Sequence, residues 1–180
     1  MTVSRGFAER VLRSWSGTAE RSHARLAAGH RLDAVVGLHA LHFELTGGED
    51  FDAFVRRVRG QAIALGERET ASWAMPGAVA RPTRLVARVL DQSFGGYRLV
   101  FDTNEPLRAK VGEIVGLSTP ALDGELQDWM VGVIRWIRSE SDGGIVMGVE
   151  LVARRAQPVG LASVDATGVA RPPMRAVLLL

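Results

Sequence analysis

The 180-residue chain contains no cysteine. That excludes disulfide frameworks, thiolate metal sites and cysteine nucleophiles together, and a reducing compartment, the cytoplasm, is the expected location. Lysine is almost absent: Lys110 is the single one among 22 basic residues. The sequence pI of about 9.9 therefore reflects arginine's high pKa and not a large field, because 20 acidic residues leave a formal charge of only +2. The balance also holds locally, with ten basic and nine acidic residues in 1–80 and twelve and eleven in 81–180. A duplex-binding protein concentrates positive charge on one face, so nucleic acid is not an expected partner. No apolar run approaches the roughly 18 residues that span a bilayer. The first residues, MTVSRGFAERVLRSW, carry charge throughout and lack the apolar core of a secretory signal. What is present, 47% hydrophobic and 23% charged residues, is the balance of a folded chain, one compact domain or two small ones.

The two halves differ in periodicity. Phe7, Val11, Trp15 and Ala19 recur at helical spacing, so residues 5–28 read as an amphipathic helix. Residues 32–45, LDAVVGLHALHFEL, are apolar on most sides and read as a buried helix ended by Thr46-Gly47-Gly48. Glu49, Asp50 and Asp52 then open a third helix reaching to about residue 65. Residues 66–82, with Pro76, Gly77 and Pro82, read as a linker. Beyond it the pattern becomes short β-rich runs between turn clusters: 84–90, 97–102, 109–117, 129–137, 145–152, 159–164 and 174–180. The sequence closes within an apolar run, Ala176 to Leu180, either a strand paired in the sheet or part of a longer protein. The expected architecture is α+β, a helical region over 1–78 followed by an antiparallel barrel of about six strands over 79–180.

Catalytic signatures are missing. His39 and His42 stand three apart on the apolar helix, a spacing that can place two ligands on one face. No third ligand is identifiable, so they read as core histidines hydrogen-bonded to backbone or water. No GxSxG elbow, phosphate-binding GxxxxGK[ST] loop or strand-linked GxGxxG occurs. The sequence supplies no candidate base, nucleophile, metal site or cofactor, and the chain reads as a non-enzyme. Trp129, Trp136 and Phe101 read as barrel core, and Arg154-Arg155 as a strand edge.

The informative segment is RPTRLVARVLDQSFGG, residues 81–96. Its turn offers a carboxylate (Asp91), a hydroxyl (Ser93) and glycines (Gly95, Gly96) that expose backbone N–H groups able to hold a phosphate. Arg84 and Arg88 share a face in a strand, and arginine forks match guanine O6 and N7 and stack on its plane. Arginines beside this turn suit a guanine nucleotide; the plainer reading of Arg84 and Arg88 is a solvated face paired to Asp102 or Glu150.

Residues 81–155 resemble a PilZ domain, the bacterial receptor module for cyclic di-GMP. The family's [D/N]xSxxG turn is matched by Asp91, Ser93 and Gly96, a pattern expected by chance only about 0.06 times in this composition. The strands Val131-Gly-Val-Ile-Arg-Trp136 and Gly144-Ile-Val-Met-Gly148-Val149 resemble the family's later strands. The stretch VVGLHALHFELTGG is similar to the helical leader of some proteobacterial proteins with PilZ-like ends. The family's RxxxR pair occurs three times here, at Arg21/Arg25, Arg84/Arg88 and Arg171/Arg175. In the family it lies on a flexible segment before the first barrel strand, well upstream of the aspartate. Only Val89 and Leu90 separate Arg88 from Asp91, and Arg81, beside the linker, offers a substitute loop arginine. The resemblance implies a non-enzymatic receptor binding cyclic di-GMP through Arg81, Arg84, Arg88, Asp91, Ser93, Gly95 and Gly96. It would relay binding to an unidentified protein partner, with a homo-oligomer compatible. The alternative is a degenerate adaptor that binds proteins and no nucleotide.

Overall fold

Residues alternating between apolar and polar can bury one face of a sheet, and a sheet of six such strands hides that face best by closing on itself. In the computed structural model, which describes residues 24–59, 81–101, 107–120, 127–140, 144–166, 168–169 and 171–180, this is the arrangement adopted. The strands are β1 (Leu26–Ala27), β2 (Arg31–Val36), β3 (Leu85–Ser93), β4 (Gly96–Phe101), β5 (Ile114–Ser118), β6 (Met130–Ser139), β7 (Ile145–Ala153), β8 (Ala156–Leu161) and β9 (Met174–Leu179). Antiparallel pairing runs β3-β2-β5-β6-β7-β4, and β4 returns to β3 to close the ring. The short β1 extends the β2 edge along the far part of β3, Leu26 opposite Gln92 and Ala27 opposite Asp91. The barrel interior is filled by residues two apart on successive strands: Leu32 and Ala34, Ala87 and Val89, Leu99 and Phe101, Val115 and Leu117, Met147 and Val149, with Ile134.

Helices α1 (Leu38–Leu45) and α2 (Phe51–Arg59) lie between β2 and β3 in the chain. A second apolar cluster outside the barrel wall, Val35, Ala40, Leu41, Trp129, Val131 and Ala153, seats α1, with Ala156 and Val177 packed against it. Burying a side chain such as Leu41 contributes about 1.5–3 kcal/mol. The Asp50 carboxylate accepts from the Ala53 N–H at 2.8 Å and so caps α2. Strands β8 and β9 form a separate two-stranded hairpin, and both contact α1.

Several sequence expectations change. Residues 32–45 are not one helix: Arg31–Val36 is a barrel strand and only Leu38–Leu45 is helical. Leu32 and Ala34 face the barrel interior while Val35 lies under α1. A strand covered on both faces loses its alternation and reads as an all-round apolar helix. The break is at Gly37, whose φ of +90° suits glycine. The barrel thus draws on both sides of the expected 78/79 boundary. Strand 109–117 shortens to Ile114–Ser118, and the runs at 159–164 and 174–180 become the hairpin, not barrel staves. The helix read over 5–28 is overturned at its end, where Leu26–Ala27 is strand β1 paired to β3; its residues up to 23 fall outside the described residues, as do most of the 66–82 linker and the end of the third helix.

Candidate functional site

The outer wall near the β3–β4 turn is built by two bulges. Between Val89 and Asp91 the register of β3 against β4 shifts by a residue, so that Val89 opposes Leu99 while Asp91 opposes Arg98. Strict alternation from Ala87 and Val89 would point Asp91 into the barrel; the extra residue, Leu90, turns it outward. Its carboxylate there pairs with Arg98 Nε at 2.7 Å and Arg25 Nη1 at 2.5 Å. Arg25 immediately precedes β1, which brings the start of the barrel's first strand to the turn. Arg98 opposes Gly148 on β7, which in turn opposes Trp136 on β6, and between Ile134 and Trp136 β6 carries a second bulge against β7. Both Arg135 and Trp136 emerge on the exposed face as a result.

The turn itself is held tightly. The Ser93 hydroxyl donates a long 3.4 Å bond to the Gly96 carbonyl, and the Leu151 N–H donates to the Gly95 carbonyl at 2.9 Å. Gly96 cannot be another residue without rearrangement, because a Cβ there would come 2.1 Å from the Val149 carbonyl oxygen. The motif's glycine therefore serves the close approach of β4 to β7. Gly148 has a similar reason: the Trp136 indole lies across it, and a Cβ would meet Nε1 at 2.0 Å.

Between these elements lies an open concavity of about 130 Å³. One side is Arg25, Ser93, Gly95 and Gly96; the other is Arg135, Trp136, Gly148, Val149 and Glu150. Arg135 Nε donates to Glu150 Oε2 at 2.5 Å. The site thus presents the exposed Arg135–Glu150 pair, an indole face and turn backbone, beside a largely covered Asp91 held between Arg25 and Arg98. Such a surface can stack a planar base, donate to acceptors on its edge and bind phosphate.

Of the expected residues, Ser93, Gly95 and Gly96 line the concavity and Asp91 adjoins it through Arg25. The arginines expected from the same segment are elsewhere. Arg84 stands nine residues before Ser93 (93 − 84), roughly 30 Å along an extended strand. There it pairs with Glu44 of α1 and with Asp33 of β2 at 3.5 Å, and lies 5.5 Å from the Trp129 ring. Arg88 is exposed on β3 in register with Arg31 and Val100, outside the concavity lining. Arg81 precedes β3 and is likewise not part of the lining. Arg84 and Arg88 are both exposed, Arg84 just before β3, and an extended chain spreads its side chains along its length instead of gathering them.

Arg25 is the residue the sequence reading passed over. It belongs to the first of three RxxxR occurrences, Arg21/Arg25, a pattern that carries little weight in a chain with 21 arginines; Arg21 lies outside the described residues. Trp136 is also corrected: it is 36% exposed and lines the concavity, whereas Trp129 and Phe101 are core as expected. Arg154 sits 5.1 Å over the exposed Phe94 ring at the turn tip.

The histidines form no metal site with other side chains among the described residues. His39 is exposed. His42 is fully buried, in edge contact with Phe51 and Phe54 at 5.2 and 4.9 Å, and neither ring nitrogen has a hydrogen-bond partner among the described residues. Burial, reinforced by the Arg175 charge, pushes its pKa down. The Val159 backbone lies close enough to His42 to favour its protonated form slightly.

Residues 1–83 and 66–158 match the family model described as "Cyclic-di-GMP receptor FimW, middle PilZ domain". The Cyclic-di-GMP receptor FimW of Pseudomonas aeruginosa is 28% identical over 92% of the chain. The chain spans about a third of that relative's length, 33%. With the closed six-stranded barrel and the Asp91–Gly96 turn in place, the chain belongs to the FimW middle PilZ-domain family.

Proposed function

We propose that this domain is a non-enzymatic receptor that binds cyclic di-GMP at the outer concavity beside the β3–β4 turn and relays that binding to a protein partner. The observation that carries the reading is the Arg25–Asp91 ion pair. It joins the arginine motif that precedes the first barrel strand to the acid-hydroxyl-glycine turn, the two elements of the resemblance. The arginine role accordingly moves from Arg84 and Arg88 to Arg25 and its motif partner Arg21. Asp91 and the Ser93–Gly96 turn retain theirs. Arg25 donates to phosphate or guanine, Asp91 accepts from a base amine, and the Trp136 face stacks on a purine. The relative's printed name supports the choice of ligand, and a cytoplasmic location goes with it.

The concavity is well below the roughly 300 Å³ of an ordinary ligand pocket, so it takes one base, with the rest of the ligand lying over the wall. A ligand spread across the surface can engage the arginine segment and the wall together, which gives binding a way to reorder what precedes β1. Isothermal titration of the 180-residue chain with cyclic di-GMP tests this. Saturable binding that falls on Arg25→Ala supports it; no heat at high micromolar ligand rejects it in favour of the nucleotide-free adaptor.

A further inference from the structure

The concavity holds a carboxylate, Glu150, in a place proposed for a ligand with two phosphates, and an uncompensated acid there opposes binding. Glu150 is not spent on structure: its side chain is half exposed and its one ion pair among the described residues is with Arg135, itself half exposed. The Arg135–Glu150 contact uses Nε and Oε2. Among the described residues no other ion pair engages Oε1 or the two terminal nitrogens of Arg135, so both groups keep hydrogen-bonding capacity toward the concavity. The pair also repeats an arrangement already present across the site. Arg25 meets Asp91 at 2.5 Å, and Arg135 meets Glu150 at the same distance.

Guanine carries acceptors at O6 and N7 and donors at its N1–H and N2 amine. A guanidinium beside a carboxylate is the complement of that edge pattern: the fork donates to O6 and N7 while the carboxylate accepts from the donors. Adenine keeps N7 but presents an amine where guanine has O6, and has no adjacent pair of donors for a carboxylate. The β6 bulge places this pair next to the Trp136 indole, which packs against Gly148 and is 36% exposed, so that it can meet the same base.

We infer that Arg135 and Glu150 form a second guanine-reading pair, beside Arg25 and Asp91, and that Glu150 sets the preference for guanine over adenine. The inference rests on the receptor reading above. The test is calorimetric titration of the wild-type chain, Glu150→Gln and Glu150→Asp, each with cyclic di-GMP and cyclic di-AMP. Glu150→Gln should weaken cyclic di-GMP binding about 5- to 100-fold and leave the weaker cyclic di-AMP binding within twofold. Glu150→Asp should keep most of the preference, and neither change should alter the thermal midpoint, since the side chain is exposed. Equal or tighter cyclic di-GMP binding by Glu150→Gln would show that the acid only repels the ligand, and overturns the inference while leaving the receptor reading intact. Equal losses for both nucleotides overturn it too. Failure of the wild-type chain to bind cyclic di-GMP removes both.

Discussion

The two ends of β3 hold similar residues and do different work. Each holds arginine–carboxylate pairs, and each lies near a tryptophan. At the Leu85 end, Arg84 closes onto Glu44 and Asp33, both largely covered, above Trp129, which is 2% exposed. At the Ser93 end, Arg25 and Arg135 border an open concavity beside Trp136, which is 36% exposed. The first arrangement fastens α1 to the barrel; the second leaves donors, acceptors and an aromatic face available. What separates them is not residue type but which partners the topology supplies. Helix α1 caps one end, and two bulges open the other.

The largest expected effect that would break the comparison comes from Gly96. Replacing it with valine puts a Cβ against the Val149 carbonyl at a φ of +155°, and the β4–β7 seam must part. The expected cost is about 3–5 kcal/mol, seen as a thermal midpoint lower by roughly 10 °C. An unchanged midpoint would mean the seam is not as tight as described.

Next in size is the contrast between the arginines. Arg25→Ala should lower cyclic di-GMP affinity by about 10- to 100-fold, the loss of one or two charge-assisted contacts. Arg84→Ala should leave that affinity within twofold and lower stability by about 0.5–1 kcal/mol, the scale of a half-exposed ion pair, read from urea denaturation.

A smaller effect sharpens the description of the α1 side. His42 has a pKa lowered by burial and then by Arg175, and His39 is lowered by the same two causes. Arg175 on β9 stacks on Phe51, and on α2 Arg57 lies over Phe54 while paired to Glu49. No carboxylate among the described residues pairs with His42. Below the ordinary histidine value of 6.5 the unfolded chain binds protons that the folded chain resists, so stability present above that pH is lost as pH falls through it. Urea midpoints at pH 7.5 and 5.0 should differ less in His42→Leu than in the wild-type chain. Equal differences would mean that His42 is not the group that resists protonation.

Much of the barrel was legible because its strands carry their own punctuation. The Ser-Phe-Gly-Gly turn bounds β3 and β4, and Ser139 to Gly144 separates β6 from β7; these strands lie within a few residues of their expected limits. Strand β2 was not legible, since Val35 is buried outside the barrel just as Ala34 is inside it, and period-two patterning needs one wet face. That single strand had wide consequences. Reading it as helix moved the barrel's opening to residue 84 and carried the arginine motif with it. The turn of Asp91, Ser93 and Gly96 was visible because its chemistry is local. Arg25 was not, because its place beside Asp91, 66 positions later, depends on the long-range pairing of β1 with β3. The bulge at Arg135, which exposes Trp136, has no signature in composition at all: an added residue in a strand changes the phase of every side chain beyond it.

The most direct measurement is a parallel calorimetric titration of the wild-type chain, Arg25→Ala and Arg84→Ala with cyclic di-GMP. The account predicts saturable binding by the wild type, unchanged binding by Arg84→Ala and a loss of at least tenfold in Arg25→Ala. Retained binding in Arg25→Ala together with a loss in Arg84→Ala would place the nucleotide at the opposite end of β3 and contradict it.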